Sequence, residues 1–357
     1  MPYEVDFHAV GEESKSGDAI SIRIKDNSGQ SVIVIDGGYK NDGKKVAEHI
    51  TRYYDTDVID LIISTHPDSD HINGLSYLVE NMDVKKLMIS KPWEFDNLKE
   101  HFKDGRFTNN SLGEKIAECL NKAVDLVDLA SEKGIEIITP STGKILYYSS
   151  AELVILGPSE DYYKELLPQI LVEQPAQNQQ GTVGALLKDA YDAVVNMIKS
   201  IWGEDNLSED VVTSPLNSTS IITLINSDGK SLLFTGDSGV EALTKAHPTF
   251  VNSTCTSTLK MFQVPHHGSR RNISSNILDS YIGNRVSQGE TRNISAICSA
   301  AINAEKHPRS AVVNALIHRG AEVVVTKGKS IRLHHQMGDR DGWTPVQPLE
   351  YFQEVEA

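Results

Sequence analysis

Apolar and polar residues alternate over residues 3–10 and 19–25, with Gly17-Asp18 between them, and this period of two predicts short strands. Ser31–Ile35 continues the pattern and runs into Asp36-Gly37-Gly38. The spacing then predicts a helix from about Lys44 to Tyr54, a buried strand over Ile59–Ser64 and another over Asp83–Ser90. From about Pro92 to Pro215 the pattern turns helical and polar. Leu112–Glu132 repeats apolar residues at helical spacing (Ile116, Leu120, Ala123, Val127), and Thr182–Trp202 does the same (Val183, Leu186, Val194, Ile198). Gln174–Gly181 reads as a polar loop, while Ile145–Tyr148 and Leu153–Leu156 read as strands of the main sheet. Further on, Thr219–Ile225 and Ser231–Phe234 flank the hairpin turn signal Asp228-Gly229. Leu259–Val264 is a strand, a helix leads to Arg319-Gly320, and Glu322–Thr326 is another strand; Gln336–Ala357 has no periodicity and reads as a tail. The class is α/β, with the helical pieces of 92–215 inserted into a strand-rich core.

The chemistry concentrates in Ser64-Thr65-His66-Pro67-Asp68-Ser69-Asp70-His71, on the turn between the Ile59–Ser64 strand and the helix-like pattern opened by Ile72-Asn73-Gly74-Leu75. Strand alternation puts His66 and Asp68 on one face, and Asp70 and His71 follow where the bending chain can turn them to the same space. Imidazole and carboxylate bind zinc, manganese or iron, and four such groups within six residues suggest more than one ion. Two later segments offer more: Thr235-Gly236-Asp237-Ser238 and Pro265-His266-His267-Gly268-Ser269, each at a predicted strand end.

This order of motifs resembles the metallo-β-lactamase-fold hydrolases, whose first motif is usually His-x-His-x-Asp-His. With Asp68 in place of the second His, it looks like the hydrolase domain of ComEC-type DNA-uptake proteins. The resemblance covers the N-terminal strands through Asn81, then Asn217 to about His335. It implies a four-layer αββα sandwich over residues 1–335, with 92–215 partly a helical insertion and 336–357 a C-terminal tail. It also implies that Asp237 lies between two metals and that one of His266 and His267 is the last ligand, His266 being favoured and the other sitting behind the ligands or touching substrate. His8 and Asp36 are expected to be structural or to sit behind the ligands, and not to bind metal themselves. The resulting sets are His66, Asp68 and Asp237 for one ion, and Asp70, His71, Asp237 and His266 for the other. His307, in Lys306-His307-Pro308-Arg309, would orient a phosphoryl oxygen or protonate a leaving group. The family's third His is missing, because Leu216-Asn217-Ser218-Thr219-Ser220 contains none. That loss argues against β-lactam hydrolysis and favours manganese or magnesium over zinc at the first ion.

The formal charge of −15 excludes a generic nucleic-acid coat, yet His267, Arg270, Arg271, Lys306, His307 and Arg309 cluster beside the motifs. The expected reaction is attack on a phosphodiester by hydroxide held between two divalent ions, zinc or manganese with magnesium possible, in a nuclease using Asp70, His267 and His307. The competing readings are a small-molecule phosphodiesterase or esterase of the same fold, and a non-catalytic subunit of a defence complex. The N-terminus lacks signal-peptide regions, no apolar stretch reaches the roughly 20 residues needed to span a bilayer, and Cys119, Cys255 and Cys298 show no paired spacing. A cytoplasmic protein without membrane contact, with buried thiols, is expected, as is a protein partner or homo-oligomer through the helical insertion.

Overall fold

The structure, a computed structural model, describes residues 1–99, 101–107, 114–172 and 197–356. Two seven-stranded sheets form its centre. The first runs in the order Glu136–Ile138, Lys86–Met88, Leu61–Ile63, Gly29–Gly37, Ala19–Asp26, Tyr3–Phe7 and Ile331–His335. The second runs Ile145–Tyr148, Ala151–Gly157, Ile222–Ser227, Lys230–Phe234, Thr258–Gln263, Ile294–Cys298 and Ala321–Val325. Each sheet is half antiparallel and half parallel, so in each several strands point their carboxyl ends the same way.

Strand alternation builds three buried layers. In Gly29–Gly37, Ile33 and Ile35 face the second sheet and meet Ile155, Ile225, Phe234 and Met261. Their neighbours Val32 and Val34 face outward onto Val46, Ile50, Leu75, Leu78 and Leu126 of the covering helices. On the far side, Leu224, Leu233 and Phe262 pack under Leu243, Leu278, Val312 and Leu316. The result is helix, sheet, sheet, helix, as expected.

The helix predicted from about Lys44 to Tyr54 is Asp42–His49, continued by one wider turn to Tyr54. Most of the second helix read from the sequence, Thr182–Trp202, lies outside the described residues, as does Gln174–Gly181. Its last part is not helical: Met197–Lys199 is a strand paired with Glu354–Glu356. The β-branched Ile198 and its exposed neighbours suit an edge pairing, which the helical spacing of apolar residues masked. The C-terminal stretch packs against the domain. Arg340 grips Asp6 through two 2.7 Å bonds and reaches Glu4 at 2.9 Å, and it lies over the rings of Tyr53 and Trp343. Cys119 and Cys298 are buried, but Cys255 is exposed, because it follows the end of a surface helix.

Glu4 and Asp6 are fully buried on the face of their strand opposite Val5 and Phe7, so their charges depend on Arg340, Arg23 and Arg332. Removing Arg340 leaves buried carboxylates short of a cation. We expect Arg340→Ala to cost about 3–5 kcal/mol, read as a lower urea midpoint. Burial works against ionisation of Asp6, but His49 and Arg340 outweigh it and hold its carboxyl well below the usual range. Burial and the neighbouring His49 push the His8 imidazole down to about 3. Both groups therefore bind fewer protons folded than unfolded in acid, so stability falls as pH falls. The urea midpoint is expected to drop from about pH 6.5 downward, and His8→Gln should flatten that slope between pH 6.5 and 4.

Candidate metal centre

The site sits where strand ends of both sheets meet. Leu61–Ile63 delivers Thr65 and His66, and the short helix Ser69–Ile72 carries Asp70 and His71. A close approach fixes this turn: a Cβ on Gly74 would fall 1.9 Å from the Gly37 carbonyl oxygen, so only glycine lets the metal turn seat on the end of Gly29–Gly37. From the second sheet, Lys230–Phe234 delivers Asp237, and Thr258–Gln263 delivers His266 and His267.

Asp237 is buried and at the centre. Its Oδ2 lies 3.6 Å from His266 Nε2 and 3.9 Å from His66 Nε2, while Oδ1 lies 3.3 Å from His71 Nε2. Asp68 Oδ2 is 3.6 Å from His66 Nε2, and Asp70 Oδ2 is 3.5 Å from His267 Nε2. One carboxylate thus faces two groups, His66 with His266 near one oxygen and His71 near the other. The adjacent histidines part because both hold left-handed backbones, with φ of 47° at His266 and 55° at His267. Such strain costs about 1–3 kcal/mol per residue and persists where the surroundings enforce it. The expected grouping of His266 with Asp70 and His71 is therefore not the one this backbone produces. It is His267 that stands beside Asp70, and His266 shares an Asp237 oxygen with His66.

Each imidazole turns the same nitrogen inward because its other nitrogen is occupied. His71 Nδ1 lies 2.7 Å from Asp36 Oδ2, His267 Nδ1 lies 3.1 Å from the Ser299 carbonyl oxygen, and His266 Nδ1 lies 2.9 Å from Asn272 Oδ1. His66 Nδ1 is 3.1 Å from Thr65 Oγ1, a hydroxyl that itself donates to Asp36 Oδ2 at 2.6 Å. With Nδ1 as donor, every Nε2 keeps its lone pair for a cation. The Nε2 atoms of His66, His71 and His267 and Oδ1 of Asp237 are buried without a hydrogen-bond partner. Such orphaned atoms are costly unless something binds them, and imidazole with carboxylate is a divalent-metal donor set. On that observation the residues fit a metal centre. Asp18, His71, Asp237 and His267 each offer a ligand atom, all within 4.8 Å of one another.

The charges answer one another. Burial lowers the imidazole pKa of His71, but Asp237, Asp36 and Asp70 outweigh it and raise it well above the usual value. His267 is likewise raised, to about 9, by Asp70 and Asp237 against burial. Asp70 falls to about 2, because His71 and His267 overcome the effect of burial.

The sequence reading assigned no ligand role to Asp18. The available signal was Gly17-Asp18, the same Gly-Asp pair as Gly236-Asp237 at another strand boundary. The segment without the third His also takes part: Asn217 Nδ2 lies 3.2 Å from His266 Nδ1, and Ser220 Oγ accepts from the Asp237 amide at 3.2 Å. The helix Glu114–Glu132 reaches the site as well. Cys119 Sγ donates to Asp68 Oδ1 at 3.6 Å, Lys122 Nζ donates to Ser69 Oγ at 2.7 Å, and Leu120 and Ala123 line a pocket beside His66. His307 is partly buried next to the histidine pair, with Nδ1 unpartnered; burial and the charges of His267 and His266 push it down to about 4. Of the expected cations, Arg270 donates to the Asn206 carbonyl oxygen, Arg309 lies 4.0 Å from Glu356, and Arg271 and Lys306 are exposed.

A model of the metallo-beta-lactamase superfamily matches residues 19–149, which include the whole metal turn. Among solved structures, the chain is similar to the metallo-beta-lactamase fold protein YhfI from Bacillus subtilis, at 9% identity and a TM-score of 0.42, over 93% of this chain and 100% of that one. It is also similar to a Cronobacter sakazakii metallo-beta-lactamase with a HARLDQ motif, at 11% identity and a TM-score of 0.33, over 68% and 74% of the two chains. Comparison with curated proteins finds no match. The two helix-covered sheets are a metallo-β-lactamase sandwich, and the matched superfamily together with the His/Asp centre supports a metal-dependent hydrolase. Among the described residues no helix is long and apolar enough to cross a membrane.

Asp36 binds His71 and both the amide and hydroxyl of Thr65, so it orients two imidazoles at once. We expect Asp36→Ala to weaken metal binding by about 10–100-fold, measured by metal titration of the chelator-stripped protein.

Proposed function

We propose that the protein hydrolyses phosphodiester bonds with two divalent ions and that its principal substrate is nucleic acid. The observation that carries this is Asp237, whose two carboxylate oxygens face different sets of donors at 3.3–3.9 Å. In this reading His66, Asp68, His266 and Asp237 would hold one ion, and Asp70, His71, His267 and Asp237 would hold the other. Ions so placed would activate water and neutralise charge on the oxygens of an in-line displacement.

The chain's own groups prepare the site for that chemistry. Asp36, Asn272 and Ser299 hold three imidazoles with the other nitrogen turned inward, so an ion would replace a proton there with little movement of the rings. His307, uncharged at neutral pH, can offer a hydrogen bond to a phosphoryl or leaving-group oxygen. Exposed Arg271 and Lys306 supply positive charge beside the centre, where a phosphate backbone would need it. Asp68 supports manganese or magnesium at the His66 side, since hard oxygen donors replace an imidazole there. A second reading, a small diester as substrate, is favoured by the commitment of Arg270 and Arg309 to partners within the chain, which leaves few cations for a long polyanion.

The test is turnover of bis-p-nitrophenyl phosphate by the full chain with added manganese, magnesium or zinc, beside incubation with plasmid and single-stranded DNA. Metal-dependent turnover that falls at least about 100-fold in Asp237→Ala is expected, since even the loss of a supporting residue costs 10–100-fold. Cleavage of the chromogenic diester with intact DNA would select the small-diester reading. No turnover with any ion would refute the hydrolase and leave the fold as a scaffold.

A further inference from the structure

Asp18 is the one carboxylate in the buried cluster that lies on none of the three motif segments. Its place is built with care by the backbone. Its amide donates to the Asp70 carbonyl oxygen at 3.0 Å, and its own carbonyl accepts from the Gly38 amide at 2.8 Å. A Cβ at Gly17 would fall 2.8 Å from the Asp70 carbonyl oxygen, so glycine is what lets the loop reach the metal turn. The Asp18 side chain is 2% exposed, and its Oδ1 has no hydrogen-bond partner. It does not serve to orient His267: Oδ2 is 3.9 Å from His267 Nδ1, a nitrogen already 3.1 Å from the Ser299 carbonyl oxygen. A buried carboxylate left this way costs stability unless a cation meets it. Its neighbours in the cluster are His71, Asp237 and His267, and Nε2 of both histidines and Oδ1 of Asp237 are unpartnered as well.

We propose that Asp18 is a direct ligand of the ion on the Asp70 side, and that it shifts this ion's site toward manganese relative to zinc. The inference rests on the metal-centre reading above. With Asp18 the donor set there is three carboxylates and two imidazoles, counting Asp70, Asp237, His71 and His267. Zinc favours four donors rich in nitrogen and sulfur, whereas manganese accepts more donors and harder ones. The same addition accounts for the Gly17-Asp18 pair, which a plain hairpin between Tyr3–Phe7 and Ala19–Asp26 would not require.

The experiment titrates the chelator-stripped 357-residue chain with manganese, followed by the paramagnetic resonance of free Mn(II), and with zinc against a chromophoric chelator. Wild type is expected to bind two manganese ions. Asp18→Asn should weaken one of them by at least about 10-fold, as loss of a ligand must exceed the smallest effect of losing a supporting residue, and should weaken zinc less. Stripped Asp18→Asn should melt no lower than stripped wild type, because a desolvated carboxylate with an unpartnered oxygen has gone, yet gain less from added manganese. Unchanged manganese binding in the variant would overturn the assignment, as would a lower melting temperature of the stripped variant with the manganese gain intact. A wild type that binds no ion would overturn the metal centre itself, and Asp18's role with it.

Discussion

Everything at the centre of this molecule depends on keeping buried carboxylates and imidazoles close together with their inward atoms free. Asp237 is buried, and its oxygens face His66, His71 and His266 rather than water. Such an arrangement is unfavourable by itself, and the fold holds it by over-determining each side chain from behind. Asp36 takes the largest share, since it ties the amide and hydroxyl of Thr65 and the ring of His71 to one carboxylate. Its own φ of 56° is a further strain that the surrounding sheet maintains.

The support comes from both sheets, which explains the sandwich. The Ile221 amide donates to the Thr65 carbonyl oxygen from one sheet to the other, and the His266 amide donates to that of Gly236 between neighbouring strand ends of the second sheet. The apolar layer of Ile33, Ile35, Phe234 and Met261 sets the spacing at which those ends meet. A divalent ion binding the orphaned nitrogens would therefore enter a site whose geometry the core has already set, which is the condition for selective binding chemistry.

The helical segment that follows the first motif is part of this site rather than an appendage. The helix Glu114–Glu132 packs Leu126 and Ala130 on the first sheet and brings Cys119 and Lys122 to the metal turn. The sulfur contact leaves Asp68 Oδ2 facing His66. At the other end of the first sheet, Arg340 uses the same device at a purely structural place: buried carboxylates of Tyr3–Phe7 are answered by a guanidinium from a distant part of the chain.

The amino-acid order alone determined the α/β class, the turn that carries His66, Asp68, Asp70 and His71, and the arrival of Asp237 and the histidine pair at strand ends, while the sandwich was implied by the resemblance of those motifs to the metallo-β-lactamase fold. The order could do so because period-two apolar runs and Gly-punctuated turns are local properties, and because His66, Asp68, Asp70 and His71 are neighbours along the chain. Only the tertiary structure decided which histidine stands with which carboxylate. That depends on two left-handed residues, His266 and His267, whose φ no local pattern of apolar residues reveals. Asp18 was hidden for a similar reason, since its place comes from a backbone bond to Asp70, 52 positions along the chain, and not from spacing. Met197–Lys199 and Arg340 make the same point. A strand that pairs with the chain's end, and an arginine that answers a carboxylate 334 residues away, are fixed by long-range partners that only folding brings together.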